Sequence, residues 1–91
     1  MLIRSQDKEI LINFNNSPAI KIIGTKEDVT IICSDTYETF VIGNYSTKEK
    51  AMKVLDMIQE AYCKFMSVKN DDAWSGKESV FYMPEDSEVE I

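Results

Sequence analysis

The sequence predicts an α+β domain: an antiparallel meander of four to five strands, one long helix packed on a face of that sheet, and a short C-terminal strand. Three observations carry this. Residues 1–45 break into short apolar runs separated by turn-forming residues. Residues 46–66 then hold a single helical period. Val80-Phe81-Tyr82-Met83 returns to strand composition and stops at Pro84, which cannot donate to a ladder.

The elements follow in order. Leu2 to Ser5 is a first run, ending in a turn near Asp7-Lys8. Ile10 to Phe14 is a second, stopped by the four turn formers Asn15-Asn16-Ser17-Pro18. Ala19 to Ile23 is a third, followed by the polar loop Gly24 to Asp28. Val29 to Cys33 is a fourth, dense in β-branched residues. After Ser34-Asp35-Thr36, Tyr37 to Ile42 returns the chain. Connections this short favour hairpins over parallel crossovers. Phe40 and Tyr62 are expected in the core. Residues 67–79 have no sustained period and read as a loop; 84–91 read as an acidic tail. The chain is one domain, with the sheet in 1–45 and the helix in 46–66.

Ser46-Thr47-Lys48-Glu49 has the pattern of a capping box, with Ser46 as the cap and Glu49 reaching back to it. Tyr45, just before that cap, is placed to pack as a staple against Lys50 or Ala51. Ala51, Val54, Leu55, Ile58, Ala61, Tyr62 and Phe65 then define one face. Burying these seven side chains contributes on the order of 10–15 kcal/mol before conformational entropy opposes it. Met52, Cys63 and Met66 lie beyond that face, in an adjoining strip at about 100° per residue. One sheet covers only one stripe, so these three residues predict self-association, as a dimer or a higher oligomer.

Composition removes several functions. The 91 residues carry a formal charge of −6, and their ten basic residues are one arginine and nine lysines. Duplex nucleic acid is not an expected partner, since phosphate binding needs clustered cations. The chain has no histidine, and hence neither the commonest general base nor the commonest zinc ligand. Cys33 and Cys63 have no metal-motif spacing, and the three glycines make no phosphate-cradling loop. The expectation is a protein that is not an enzyme and uses no cofactor and no metal. No apolar run reaches the roughly 18–20 residues of a membrane span, and the first residues lack a signal-peptide pattern. A cytoplasmic protein without a membrane partner is expected.

Binding residues are therefore sought among polar side chains in unusual places. Arg4, the only arginine, sits in an apolar strand context, where its planar fork suits phosphate or carboxylate. Pairing with a nearby acid is the plainer alternative. Gln6 and Asn13 add amide groups suited to a base or a ribose. Lys48, Lys50 and Lys53 crowd the start of the helix, where cations oppose the helix dipole. A bound anion explains them, and so does the small cost of exposed lysines. Trp74, in a polar stretch, either closes over a flat ligand or anchors its own loop. Arg4, Gln6, Asn13, Lys48 and Trp74 are the predicted ligand contacts.

Ile3-Arg4-Ser5-Gln6-Asp7, Ile42 to Thr47, Ala51 to Gln59 and Phe81 to Glu85 together resemble small proteins of Gram-positive bacteria, their phages and mobile elements. That family is largely without an assigned activity, and the resemblance carries over no catalytic residue. It implies an α+β fold in a phage-linked, cytoplasmic setting. Small phage proteins without catalytic equipment often act by binding, and two partners follow by that analogy. One is a nucleotide-type immune signal, sequestered from its receptor. The other is a host defence protein, blocked through the apolar helix strip and the acidic tail.

Overall fold

The computed structural model describes residues 1–14, 19–35, 37–68 and 80–90. Six strands and one long helix occur among them, in the order β1 (Leu2–Arg4), β2 (Leu11–Asn13), β3 (Ala19–Gly24), β4 (Val29–Ser34), β5 (Thr39–Tyr45), α1 (Lys48–Val68) and β6 (Val80–Tyr82). The α+β class, the single long helix and the short last strand are those predicted, but the expected four- to five-stranded meander is only β3-β4-β5, because β1 and β2 pair with each other and with β6 instead. The strands divide between two three-stranded sheets, ordered β2-β1-β6 and β3-β4-β5. In the first, β1 pairs antiparallel with β2 and parallel with β6. Each edge of β1 thus has a partner, and neither partner belongs to the meander.

Gln6 joins the sheets. Its backbone N–H donates to the Ile42 carbonyl at 2.8 Å, on the outer edge of β5. Its side-chain amide behaves as a substitute peptide group for that edge. Oε1 accepts from the Asn44 N–H at 2.9 Å, and Nε2 donates to the Asn44 carbonyl at 3.1 Å. Nε2 also donates to the Pro84 carbonyl at 3.1 Å, drawing in the segment after β6. A bulge in β5 helps. Ile32 pairs with Val41 but Ile31 with Gly43, so Ile42 is the extra residue. Ile42 is buried in the core while its carbonyl meets Gln6.

The helix begins one residue later than its sequence pattern implies. Thr47 Oγ1 accepts from the Lys50 N–H at 3.1 Å, and the Thr47 carbonyl accepts from the Ala51 N–H. Thr47 is therefore the N-cap, in place of Ser46. Ser46 instead donates its N–H and its hydroxyl to Asp86 Oδ1, at 2.8 and 3.1 Å. Tyr45 is no staple. It is 3% exposed, and its hydroxyl donates to the Pro84 carbonyl at 2.7 Å. Burial, and next the acids that follow Pro84, push its phenol well above the usual range. The C-terminal acids are not a loose tail. Asp86–Glu88 form one 3-10 turn, and Val89 is buried.

Ala51, Val54, Ile58 and Phe65 enter the core beside Ile3, Ile12, Val29, Ile31, Cys33 and Met83. Leu55, Ala61, Tyr62 and Phe40 are half-buried against it. The Phe14 and Tyr62 rings meet edge to face at 5.0 Å. The helix face read from the sequence is thus the packed one. Helix α1 runs on to Val68 and takes in the first residues of the predicted loop. The rest of that loop and the turn at 15–18 lie outside the described residues. Among the described residues no helix is long and apolar enough to cross a membrane.

Candidate functional site

The outer face of the β2-β1-β6 sheet brings the chain's one arginine, a lysine and an exposed tyrosine together. Residues alternate across a strand, so one face of β1 takes Ile3 and the other takes Leu2 and Arg4. The register extends both sets. Ile12, Ile3 and Phe81 lie in one row toward the core. Leu11, Arg4 and Tyr82 form a row on the outer face, with Asn13, Leu2 and Val80 beside it. Leu11 is 55% and Tyr82 59% exposed, against 8% for Ile12.

The turn after β1 adds a second cation. Lys8 adopts a left-handed backbone, φ 69°, and its Nζ stands 5.6 Å from the Tyr82 ring centroid. Arg4 Nε donates to the Lys8 carbonyl at 3.0 Å, tying the two cationic residues together. Among the described residues no carboxylate forms a salt bridge with Arg4. Beneath them the turn is firmly bonded. The Ser5 N–H donates to the Ile10 carbonyl, the Ile10 N–H returns to Ser5 Oγ at 3.0 Å, and the Lys8 N–H reaches the Ser5 carbonyl. Asp7 Oδ1 accepts the Ser5 hydroxyl and the Glu9 N–H. These bonds, the Ser5 hydroxyl first, hold the Asp7 carboxyl below its usual range. Asp7 is thus a turn-former, kept ionised at neutral pH.

Such a face presents groups suited to holding an anion. A guanidinium and an ammonium attract an anion, and an exposed phenol ring offers a stacking plane. Among the described residues no cluster of His, Cys, Asp and Glu is arranged to hold a metal.

Of the five predicted contacts, the fold brings Arg4 and Asn13 onto this one face. Gln6 lies at the sheet junction, its amide already bonded to Asn44 and Pro84. Lys48 lies elsewhere, in a groove of about 310 Å³ with Ile22, Ile23, Gly24, Thr25, Lys26 and Val29. Lys50 is held by Asp86, at 3.0 Å to its carbonyl and 3.5 Å to Oδ2. Trp74 falls outside the described residues. Sequence reasoning missed Lys8 and Tyr82 as members of the site. The alternation in Leu2-Ile3-Arg4 and Leu11-Ile12-Asn13 hinted at the face, but nothing local signals a pairing between the two ends of the chain. Of the predicted contact strip, Met52 is 47% and Met66 40% exposed, and Cys63 is an exposed free thiol. Cys33, the other thiol, is buried. No protein-family model, no curated protein and no solved structure matches the chain.

Proposed function

We propose that this chain is a non-catalytic binding protein that holds a small anionic, nucleotide-type ligand on the outer face of its β2-β1-β6 sheet, and so sequesters it. The observation that carries this is the row Leu11, Arg4, Tyr82, with Lys8 Nζ over the Tyr82 ring. Phosphate oxygens would meet Arg4 and Lys8, and a base would stack on Tyr82, displacing Lys8 from the ring. Together with the resemblance in its sequence, this supports a cytoplasmic, phage-encoded antagonist that removes a host immune signal. Calorimetry with mononucleotides and cyclic nucleotides tests it. Heat of binding that is lost in Arg4→Ala and weakened at least tenfold in Tyr82→Ala is expected. No heat with any of them counts against the reading.

One observation favours a second reading, a protein inhibitor or adaptor. Met52 and Met66 leave flexible apolar surface open along the helix, of the kind that accommodates varied partners. A host defence protein bound there would be retained by the native chain and released by Met52→Glu with Met66→Glu.

A further inference from the structure

Residues 80–90 reach from one sheet to the other. At the near end β6 pairs with β1, and among the described residues nothing pairs with its second side. The Met83 N–H extends that pairing by donating to the Arg4 carbonyl at 3.0 Å. Beyond it the chain is fastened to Gln6, β5 and the start of α1. Met83 is 1% exposed, and its methyl group sits against Gly43, where a Cβ would come within 3.1 Å of it. The Pro84 carbonyl accepts from the Tyr45 hydroxyl and from Gln6 Nε2. The Asp86 carboxylate accepts from the Ser46 N–H and hydroxyl and faces Lys50.

These anchors set the place of Tyr82, which directly precedes Met83 and is the register partner of Arg4. Both antiparallel ladders are complete without them. β1 with β2, and β3 with β4 and β5, are bonded among themselves. Residues 80–90 can therefore part from the rest while the hairpin and the meander stay paired. A segment near a chain end, held by a three-residue ladder and a few side-chain anchors, opens at a lower free energy than central strands do.

We infer that residues 80–90 act as a strap that opens as a unit, and that a ligand spanning Arg4 and Tyr82 holds it closed. The second half rests on the reading of the outer face as a nucleotide site. The cations Arg4 and Lys8 belong to β1 and its turn, whereas the stacking plane, Tyr82, belongs to the strap. The open chain keeps the cations and loses the plane. It therefore binds the ligand more weakly, by the factor that Tyr82 contributes. Linkage is reciprocal, so the bound ligand favours the closed strap by that same factor. Asp86 is then a positioning residue, acting on the ligand through the place it gives Tyr82.

Amide hydrogen exchange of the full chain, followed by NMR, tests both halves. The Met83 N–H reports the strap, and the amides of β4, the central strand of the meander, report global unfolding. Met83 should exchange faster than β4. Gly24→Ala weakens the meander, so it should speed β4 exchange and leave Met83 unchanged, because the open strap leaves the meander folded. Asp86→Ala should speed Met83 exchange about tenfold, as the loss of two hydrogen bonds to a carboxylate implies. Met83 exchange that follows β4 in Gly24→Ala, or ignores Asp86→Ala, would overturn the strap. A mononucleotide or cyclic nucleotide that gives heat of binding should, at saturation, slow Met83 exchange about tenfold, the factor expected of Tyr82→Ala. A bound nucleotide that leaves Met83 exchange unchanged overturns the coupling alone. If no nucleotide binds, the ligand reading fails and the coupling with it, while exchange in the free chain still decides the strap.

Discussion

Replacing Gln6 by alanine removes the side-chain junction between the two sheets, and its cost can be worked from the geometry. Three hydrogen bonds disappear: two to the Asn44 peptide and one to the Pro84 carbonyl. At about 1 kcal/mol net each, their loss would total about 3 kcal/mol. The Asn44 groups are exposed, so water replaces part of what they lose, whereas the Pro84 carbonyl is half-buried. A destabilisation of about 2 kcal/mol is expected, which lowers the melting temperature of a domain this size by about 10 °C. Gln6→Glu is the sharper variant. It keeps Oε1 for the Asn44 N–H but turns a negative oxygen toward two carbonyls. That raises the folded-state pKa of the new carboxyl, so the penalty of the variant relative to the native protein is smallest below about pH 4 and grows as pH rises toward the folded value. Thermal and urea melts at pH 4 and pH 7 report both effects. A Gln6→Ala change under about 0.5 kcal/mol, or a Gln6→Glu penalty independent of pH, would refute the reasoning.

Three other substitutions probe single joints. Gly24 has φ +117°, and a Cβ there would collide with the Asp28 carbonyl oxygen, so Gly24→Ala should cost about 2 kcal/mol or more in a denaturant melt. The Asp86 carboxyl is held below its usual range, first by the Ser46 N–H and then by the Ser46 hydroxyl and Lys50. Its stabilisation is therefore present above the unfolded value of about 4 and lost as pH falls through the folded value. The melting-temperature gap between native protein and Asp86→Ala should accordingly be wide at pH 7 and close toward pH 2. Thr47→Ala should cost about 1 kcal/mol as a lost cap. The smaller cost of Ser46→Ala should vanish in an Asp86→Ala background, because its hydroxyl then has no partner to lose.

The helix was legible because its signal is local and repeated. Ala51, Val54, Ile58 and Phe65 state one period four times over, and all four are buried. The meander was legible for a similar reason, since each turn lies between the strands it joins. The cap was misplaced by one residue because Ser46 and Thr47 offer the same hydroxyl, and the choice between them is made by Asp86, forty residues away. The same kind of distance hid the candidate site. Arg4 and Asn13 could be singled out as odd residues in apolar runs. Tyr82 could not be joined to them, because the parallel pairing of β1 with β6 connects opposite ends of the chain and leaves no trace in local pattern. Gln6 misled for a physical reason: an amide equipped to bind a base is equally equipped to bind a peptide group, and Asn44 supplies one.

The central claim, that the outer face of β2-β1-β6 is a ligand surface, is tested most directly by residue-resolved NMR during titration with a cyclic nucleotide. The account predicts that resonances of Arg4, Lys8, Leu11, Asn13 and Tyr82 move together and saturate with one affinity, while those of Ile22, Met52 and Met66 stay still. Saturating shifts confined to residues away from that face, or none at any attainable nucleotide concentration, would contradict it.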